Sequence, residues 1–120
     1  MNTFSKHWIS STKAKKQRKY RANAPLHIKK KFLGAHLSKD LRTKQKARAM
    51  VVRKGDTVKV MRGQFKGRTG KVERIFTQLE KVYIAGVETK KLDGSKSFYP
   101  VNPSNLMIIE LVSTDKRRLK

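Results

Sequence analysis

Four cationic side chains alternate with three glycines in one short stretch near the middle of the chain. They are Arg62, Gly63, Lys66, Gly67, Arg68, Gly70 and Lys71. Glycine permits a positive φ and lacks the side chain that would hold a ligand away from the main chain. Exposed amides and cations are the groups that contact the phosphates of a nucleic acid. The spacing therefore predicts a phosphate-binding loop, with Phe65 at its tip stacking on an unpaired base. We expect Asp56, just before the loop, to accept turn amides.

The same stretch is also compatible with a solvated hairpin, because glycine with lysine and arginine is common in such turns. It does not have the Gly-x-x-x-x-Gly-Lys-Ser/Thr spacing of a nucleotide-binding phosphate loop, and no helix is predicted to follow it. The charge of the rest of the chain favours the nucleic-acid interpretation.

A second group of cations lies near the N-terminus. Its members are Lys13, Lys15, Lys16, Arg18, Lys19 and Arg21, and they are followed by Lys29, Lys30 and Lys31. A solvated tail is the common interpretation of such a run. We favour an arm that is extended or disordered alone and becomes ordered on RNA, with Trp8, Tyr20 and Phe32 as candidates for base stacking. Phe32 is the better candidate to pack a helix against the rest of the protein.

The residues that catalysis or metal binding would need are scattered. The chain has no cysteine, which excludes disulfides and thiolate zinc sites. No two of His7, His27 and His36 have the i, i+4 spacing of a helical metal site. The eight acidic residues occur singly, without the pairing that hydrolytic chemistry needs. We therefore expect no enzyme activity, no metal and no cofactor.

The charge is the strongest signal in the composition. Lysine and arginine total 31 against 8 acidic residues, so the formal net charge of +23 implies a polyanionic partner. A membrane span is not expected, since the apolar run Leu106-Met107-Ile108-Ile109 is far shorter than the roughly 20 residues required. No secretory segment is apparent at the N-terminus, and a cytosolic location is consistent with these features.

The cations are unevenly distributed along the chain. Residues 1–50 contain 15 basic residues and one acidic residue, whereas residues 51–112 contain 12 and 6. We predict a basic N-terminal arm over 1–50, a compact module over 51–112 and a basic tail over 113–120. Within the arm, Asn23-Ala24-Pro25 predicts a helix start and Gly34 its end, and a second short helix is expected to begin at Ser38.

From Val51 the pattern becomes strand-like. Strands are predicted around 58–60, 70–76, 82–84, 87–92, 95–99 and 106–111, with Asp93-Gly94 as a two-residue hairpin turn. Val72 and Ile75 break strict alternation in the second strand, which predicts a bulge or bend there. Five or six short strands favour a small barrel, so we expect a mainly β fold with short helices in the arm. The expected core is Val58, Val60, Val72, Ile75, Val82, Ile84, Val87, Leu106 and Ile108.

The spacing Gly55-Asp56-x-Val58-x-Val60-x-x-Gly63-x-x-Lys66-Gly67-x-x-Gly70-x-Val72 resembles the KOW motif of SH3-like barrels. The flanking segments 23–28, 37–42, 90–94 and 99–106 resemble one family, the large-subunit ribosomal protein numbered twenty-four in the universal scheme. The short C-terminal tail is more similar to its archaeal branch.

This resemblance implies binding to the 5′ domain of large-subunit ribosomal RNA early in assembly, near the exit of the nascent-chain tunnel. The implied partners are neighbouring large-subunit proteins and nascent-chain targeting factors, with no homo-oligomer. The alternatives are a KOW-bearing transcription factor, an architectural protein on duplex DNA and a nuclease. The first predicts a less basic chain, and the last lacks clustered carboxylates.

Overall fold

The computed structural model describes residues 4, 7, 10–112 and 115–118. In these ranges the chain forms three α-helices, two short 3₁₀ helices and eight strands. The helices are α1 (Ala14–Asn23), α2 (Leu26–Lys29) and α3 (Lys39–Gln45), and the 3₁₀ helices are Lys30–Leu33 and Pro103–Asn105. The strands are β1 (Gly34–Leu37), β2 (Ala49–Val51), β3 (Thr57–Val60), β4 (Thr69–Phe76), β5 (Lys81–Ile84), β6 (Glu88–Lys90), β7 (Lys96–Phe98) and β8 (Leu106–Glu110).

The strands confirm a mainly β fold. Six of them form one sheet in the order β2-β1-β8-β3-β4-β5, and β6 and β7 form a separate hairpin. All neighbours are antiparallel except β1 and β8, which are parallel. The six strands predicted after Val51 correspond to β3 through β8. The order leaves β2 and β5 at the edges, and the pairing found among the described residues does not join them into a closed barrel.

We predicted no strand before Val51, and this expectation was wrong. Strand β1 lies between β2 and β8, so the sheet extends into the segment that we assigned to the arm. Ala35 and Leu37 are buried while Gly34 and His36 are partly exposed, which is the alternation of a half-buried strand. Four residues are too few for that period to be distinguished from the end of a helix.

The bulge predicted in β4 is confirmed. Val72 pairs with Ile84 and Arg74 pairs with Tyr83, so Glu73 is the extra residue. The extra residue returns Ile75 toward the core side after Val72, which explains the broken alternation.

The predicted core was correct but incomplete. Eight of the nine predicted residues are buried, and Ile75 is partly buried against them. The cluster also contains Ala35, Leu37, Val52, Phe65 and Val101. Ala35 and Leu37 belong to the unpredicted strand, and Val101 comes from the segment that bridges to Val82.

The hairpin at Asp93-Gly94 is real, but its predicted two-residue turn was wrong. Only Gly94 has a positive φ, and Lys91 donates its amide to Ser95 across a three-residue loop. Gly94 also donates its amide to the carbonyl of Lys91, so the loop is a β-turn followed by a left-handed glycine. Asp93 accepts hydrogen bonds from the amide and hydroxyl of Ser95, which lowers its pKa.

The N-terminal helices differ from the prediction in two ways. Residues expected to be extended form α1, and Asn23 ends this helix instead of capping the next one. Pro25, not Asn23, precedes α2. The helix after Ser38 is confirmed as α3, with Asp40 in its first turn. None of the helices in the described ranges has the length and apolar character needed to cross a bilayer.

A buried ion pair joins the turn before β3 to the C-terminal segment. The Asp56 carboxylate is fully buried, accepts the amides of Arg53 and Val112, and binds the guanidinium of Arg118 through both oxygens. The expectation that Asp56 accepts turn amides is therefore confirmed. Arg118 also donates to the carbonyl of Val51 at 2.8 Å, so this part of the predicted tail is fixed against the sheet.

Candidate nucleic-acid interface

The glycine-rich loop connects β3 to β4 and is closed by main-chain hydrogen bonds. The Gly67 amide donates to the Val60 carbonyl at 2.8 Å, and the Val60 amide donates to the Arg68 carbonyl at the same distance. The Lys66 amide donates to the Gly63 carbonyl at 3.2 Å. The ends of the loop are therefore held by the strand ladder, and its middle is a tight turn.

Gly63 and Gly67 have positive φ values of +94° and +90°, which side chains rarely adopt. A Cβ at either position would have no atom within 4 Å, so the space beside both residues is open. The two glycines therefore give the loop its conformation, and they leave main chain that a ligand can approach closely.

Gly70 has a different role from the other glycines in the motif. A Cβ there would lie 2.3 Å from the carbonyl oxygen of Ala85 and 2.9 Å from Ile84. Gly70 is therefore required for the close approach of β4 to the end of β5. It does not serve the exposed face of the loop.

The predicted position of Phe65 at an exposed tip was wrong. Phe65 is only 6% exposed and belongs to the core cluster. Its ring lies 4.9 Å from that of Tyr99, and the guanidinium of Arg68 covers it at 5.0 Å. The side chain packs the loop against the sheet, because burying a large aromatic ring is more favourable in free energy than leaving it exposed in a solvated turn.

The cations of the loop are all exposed, but they differ in how far their side chains are engaged in contacts within the protein. Arg62, Lys66 and Lys71 are exposed. Arg68 is also exposed, and it donates to the Gly86 carbonyl at 2.9 Å while covering Phe65. Arg68 is thus partly committed to the fold, whereas Arg62 and Lys66 are the better placed to meet an anion.

The basic arm is helical over Ala14–Asn23 and presents its cations to solvent. Lys13, Lys15, Lys16, Arg18, Lys19 and Arg21 are all exposed, and no residue of α1 is buried. Lys15 and Lys19 are one turn apart, and such like-charge pairs destabilise an isolated helix. The helix is also shorter than the roughly 12–15 residues that persist alone in water.

A few contacts hold this helix to the β module. Tyr20 lies between Phe4 and Phe32, with ring centroids 5.1 and 6.2 Å away. Arg21 pairs with Glu80 and covers the Phe32 ring at 4.9 Å. Phe32 therefore contacts α1 through Tyr20 and Arg21, and the packing of Phe32 against the β module stays a prediction. Trp8 lies outside the described residues.

The two groups of predicted site residues are not brought together. Arg21 and Lys29 contact Glu80 and Gln78 in the turn that follows β4, whereas the glycine-rich loop precedes β4. Lys30 and Lys31 are exposed beside Lys29, which is half-buried. The arm and the loop therefore lie at opposite ends of an eight-residue strand and form two separate basic regions.

A third group of cations surrounds His36 and contains two arginines that were not predicted as site residues, Arg42 and Arg48, beside the predicted Arg62. His36 on β1 has its pKa lowered from 6.5 by partial burial and by the charges of Arg42, Arg48 and Arg62. Three guanidinium groups therefore act on one imidazole next to the glycine-rich loop. Arg42 donates to the Leu37 carbonyl at 2.9 Å, which fixes it to the end of β1. The density of cations in residues 39–48 was the sequence signal for this region.

A cleft of about 190 Å³ separates the glycine-rich loop from the segment 99–105. Its lining includes the aromatic residues Phe65 and Tyr99 and the cations Arg62 and Lys81. Neither the cleft nor its 99–105 wall was predicted as a site, because its two sides are about forty residues apart in the sequence.

The described residues do not contain a group of three or more histidine, aspartate or glutamate side chains that could hold a metal ion. His7, His27 and His36 all lie in the described ranges.

Comparison with known families gives a match over nearly the whole chain. A family model that describes the eukaryotic L26 ribosomal proteins, together with the archaeal ribosomal proteins numbered twenty-four, matches residues 11–120. The match includes the basic arm from its first lysine cluster, the glycine-rich loop and the C-terminal segment that holds Arg118.

Proposed function

The chain belongs to the family of eukaryotic L26 and archaeal number-twenty-four ribosomal proteins, and from this premise we propose that it binds large-subunit ribosomal RNA through its two basic regions. Membership makes it a structural protein of the large ribosomal subunit, located in the cytoplasmic ribosome. The resemblance found in the sequence is confirmed at the level of the family. Its archaeal branch stays a prediction, since the family includes both branches.

The open glycine loop carries the proposal. Gly63 and Gly67 leave main chain accessible, and Arg62 and Lys66 are exposed on either side of them. Amides and cations in this arrangement bind phosphate oxygens without reading the base sequence. Specificity then comes from the shape of the RNA and from its unpaired bases.

The basic arm supplies the second contact. Its cations stand on a helix that has no fully buried residue and carries like charges one turn apart. Phosphates along an RNA groove would relieve this repulsion and release counterions, so the helix gains stability when RNA is bound. Lys13 through Arg21 and Lys29 through Lys31 form this region. Because it lies beyond the far end of β4, the protein would bridge two separated RNA segments.

The finer features of the function follow from the family and are part of the proposal. The RNA target is the 5′ domain, the protein joins early in assembly, and it lies near the tunnel exit. Its protein partners are neighbouring large-subunit proteins, and targeting factors dock on its exposed face. We further propose that the chain is monomeric away from the ribosome and has no catalytic activity.

Salt dependence of RNA affinity tests the loop. If about ten phosphates are contacted, log affinity should fall with log salt at a slope near −9. Changing Arg62→Gln and Lys66→Gln together should weaken binding to purified large-subunit ribosomal RNA and reduce the magnitude of the slope by about 1.5. Arg68 is left intact because its contact with Gly86 supports the loop.

The double change Lys90→Gln and Lys91→Gln is the matched control. It removes the same charge from exposed residues at the turn end of the β6–β7 hairpin, away from the glycine-rich loop. An equal change of slope in both double variants would show that net charge matters and the loop does not. Equal affinity for duplex DNA and ribosomal RNA would favour the architectural DNA-binding alternative.

A further inference from the structure

We propose that the cleft between the glycine-rich loop and the segment 99–105 binds a single unpaired RNA nucleotide, with its base inside the cleft. This inference rests on the proposed function, because it names one contact within the larger RNA interface. It also gives a role to the Tyr99-Pro100-x-x-Pro103-Ser104-Asn105 pattern, which the loop alone leaves unexplained.

The aromatic wall of the cleft is suited to stacking. Tyr99 is 38% exposed, and its ring lies in a tilted contact with the buried ring of Phe65, with the ring centroids 4.9 Å apart. Pro100 also lines the cleft. Single-stranded RNA is commonly held by stacking of splayed bases on aromatic rings that are fixed in this way. Phe65 thus contributes as a support for the stacking ring.

The size of the cleft limits the ligand. Its volume of about 190 Å³ is below the roughly 300–1,000 Å³ of pockets for drug-sized molecules. One planar ring system fits such a space, whereas a peptide segment or a folded partner does not.

The polar groups around the cleft match a nucleotide. Gln64, Asn102 and Asn105 offer amides that can donate to and accept from the edge of a base. Arg62 and Lys81 also line the cleft and supply the positive charge that a phosphate would pair with. None of the residues that line the cleft in the described part of the chain is acidic, so nothing there repels a polyanion.

The cleft is held open by the fold itself. The Asn102 carboxamide oxygen accepts from the amide and hydroxyl of Ser104, which leaves its amino group as a donor. The Met61 amide donates to the Asn105 carbonyl at 2.7 Å and ties the two sides together. Val82 and Val101 exchange main-chain hydrogen bonds of 2.8 and 3.0 Å below. A preformed site of this kind loses little entropy on binding.

The experiment compares Tyr99→Leu and Tyr99→Phe in the full chain. Leucine keeps an apolar contact with Phe65 but removes the stacking surface, and phenylalanine restores it. We expect Tyr99→Leu to weaken binding to purified large-subunit ribosomal RNA about tenfold, and Tyr99→Phe to bind like the wild type. The salt slope should stay unchanged in both variants, because no phosphate contact is removed.

Phe98→Leu is the matched control, since Phe98 is 45% exposed and adjacent to Tyr99 but does not line the cleft. Ultraviolet crosslinking of the wild-type complex, followed by mass spectrometry, should attach one nucleotide to the peptide that contains Tyr99. Circular dichroism verifies that each variant is folded.

The outcomes separate this inference from the proposed function. If wild-type chain binds the RNA with a steep salt slope, but Tyr99→Leu binds equally well and no crosslink forms at the cleft, the nucleotide site is refuted and the RNA-binding function stands. If the wild-type chain shows no preference for the RNA, both fail. Equal losses in Tyr99→Leu and Phe98→Leu would also overturn the site, because the effect would then be general to the hairpin region.

Discussion

Replacing Asp56 with alanine should destabilise the protein more than any other removal of a single carboxylate. The Asp56 side chain is fully buried and accepts from two main-chain amides and both terminal nitrogens of Arg118. The Arg118 side chain is itself only 4% exposed. Removing the carboxylate therefore leaves the amides of Arg53 and Val112 without this acceptor, and it leaves the buried Arg118 guanidinium with the Val51 carbonyl but without a counter-charge.

The magnitude follows from this burial. Breaking a buried ion pair by removing one partner costs about 3–5 kcal/mol, because the remaining charge is uncompensated. The amides of Arg53 and Val112 each lose a hydrogen bond to a charged acceptor as well. We therefore expect the free energy of unfolding to fall by about 4 kcal/mol after Asp56→Ala.

Arg118→Met should cost somewhat less, about 3 kcal/mol, because the buried Asp56 carboxylate loses its counter-charge but keeps both main-chain donors. The double variant Asp56→Asn with Arg118→Met should be more stable than Asp56→Ala, since it buries no unpaired charge. The measurement is urea unfolding of the RNA-free chain followed by circular dichroism, with free energies extrapolated to water.

Asp115→Ala provides the control. The Asp115 side chain also pairs with an arginine, Arg53, but both partners are about 40% exposed and the pair is screened by solvent. Its removal should leave the unfolding midpoint nearly unchanged. If Asp56→Ala destabilised the protein no more than Asp115→Ala, the buried pair would not stabilise the fold as its burial implies.

Two further predictions concern the glycines and His36. Gly70→Ala should unfold the protein or lower its free energy of unfolding by at least about 3 kcal/mol, since the new Cβ would lie 2.3 Å from the Ala85 carbonyl oxygen. The Cβ in Gly63→Ala meets only open space, so this change should lower the free energy of unfolding by about 1–2 kcal/mol, through the positive φ alone. Similar unfolding midpoints for the two would contradict this. The pKa of His36 is lowered by burial and then by Arg42, Arg48 and Arg62, so the folded state takes up a proton less readily than the unfolded chain. The contribution of His36 to the free energy of unfolding should be fully present above pH 6.5 and should be lost as the pH falls through the pKa of the folded state. The His36→Asn variant should lack this part of the pH dependence.

The strands of the module could be predicted because each has a clear period or a clear interruption of it. The broken alternation at Val72 and Ile75 even located the bulge at Glu73. Strand β1 could not be predicted because it obtains its place from a distant partner, β8, and β2 could not because, among the described strands, it pairs only with β1. Helix α1 has no apolar period, and its contacts depend mainly on one ring, Tyr20.

The candidate site shows the same division. Glycine spacing identified the loop, because positive φ at Gly63 and Gly67 is a local requirement. Phe65 was misplaced because an aromatic residue in such a loop either stacks on a ligand or plugs the loop, and only the packing against Tyr99 decides between them. The cleft beside Tyr99 joins distant segments, so no short pattern predicts it, and the cations of residues 39–48 do not reveal that they surround His36 together with Arg62.

The position of β8 in the sheet has a consequence for synthesis of the chain. This strand lies between β1 and β3 and pairs with both, and its contact with β1 joins His36 to Met107 across roughly 70 residues. Until the ribosome has released almost the entire chain, β1 and β3 each present an edge without a neighbour. A product truncated before residue 106 would therefore retain its cationic arm and its loop but expose two unpaired strand edges that can pair with other chains. We expect such fragments to be cleared by proteases or to aggregate, so only complete copies would compete for the RNA.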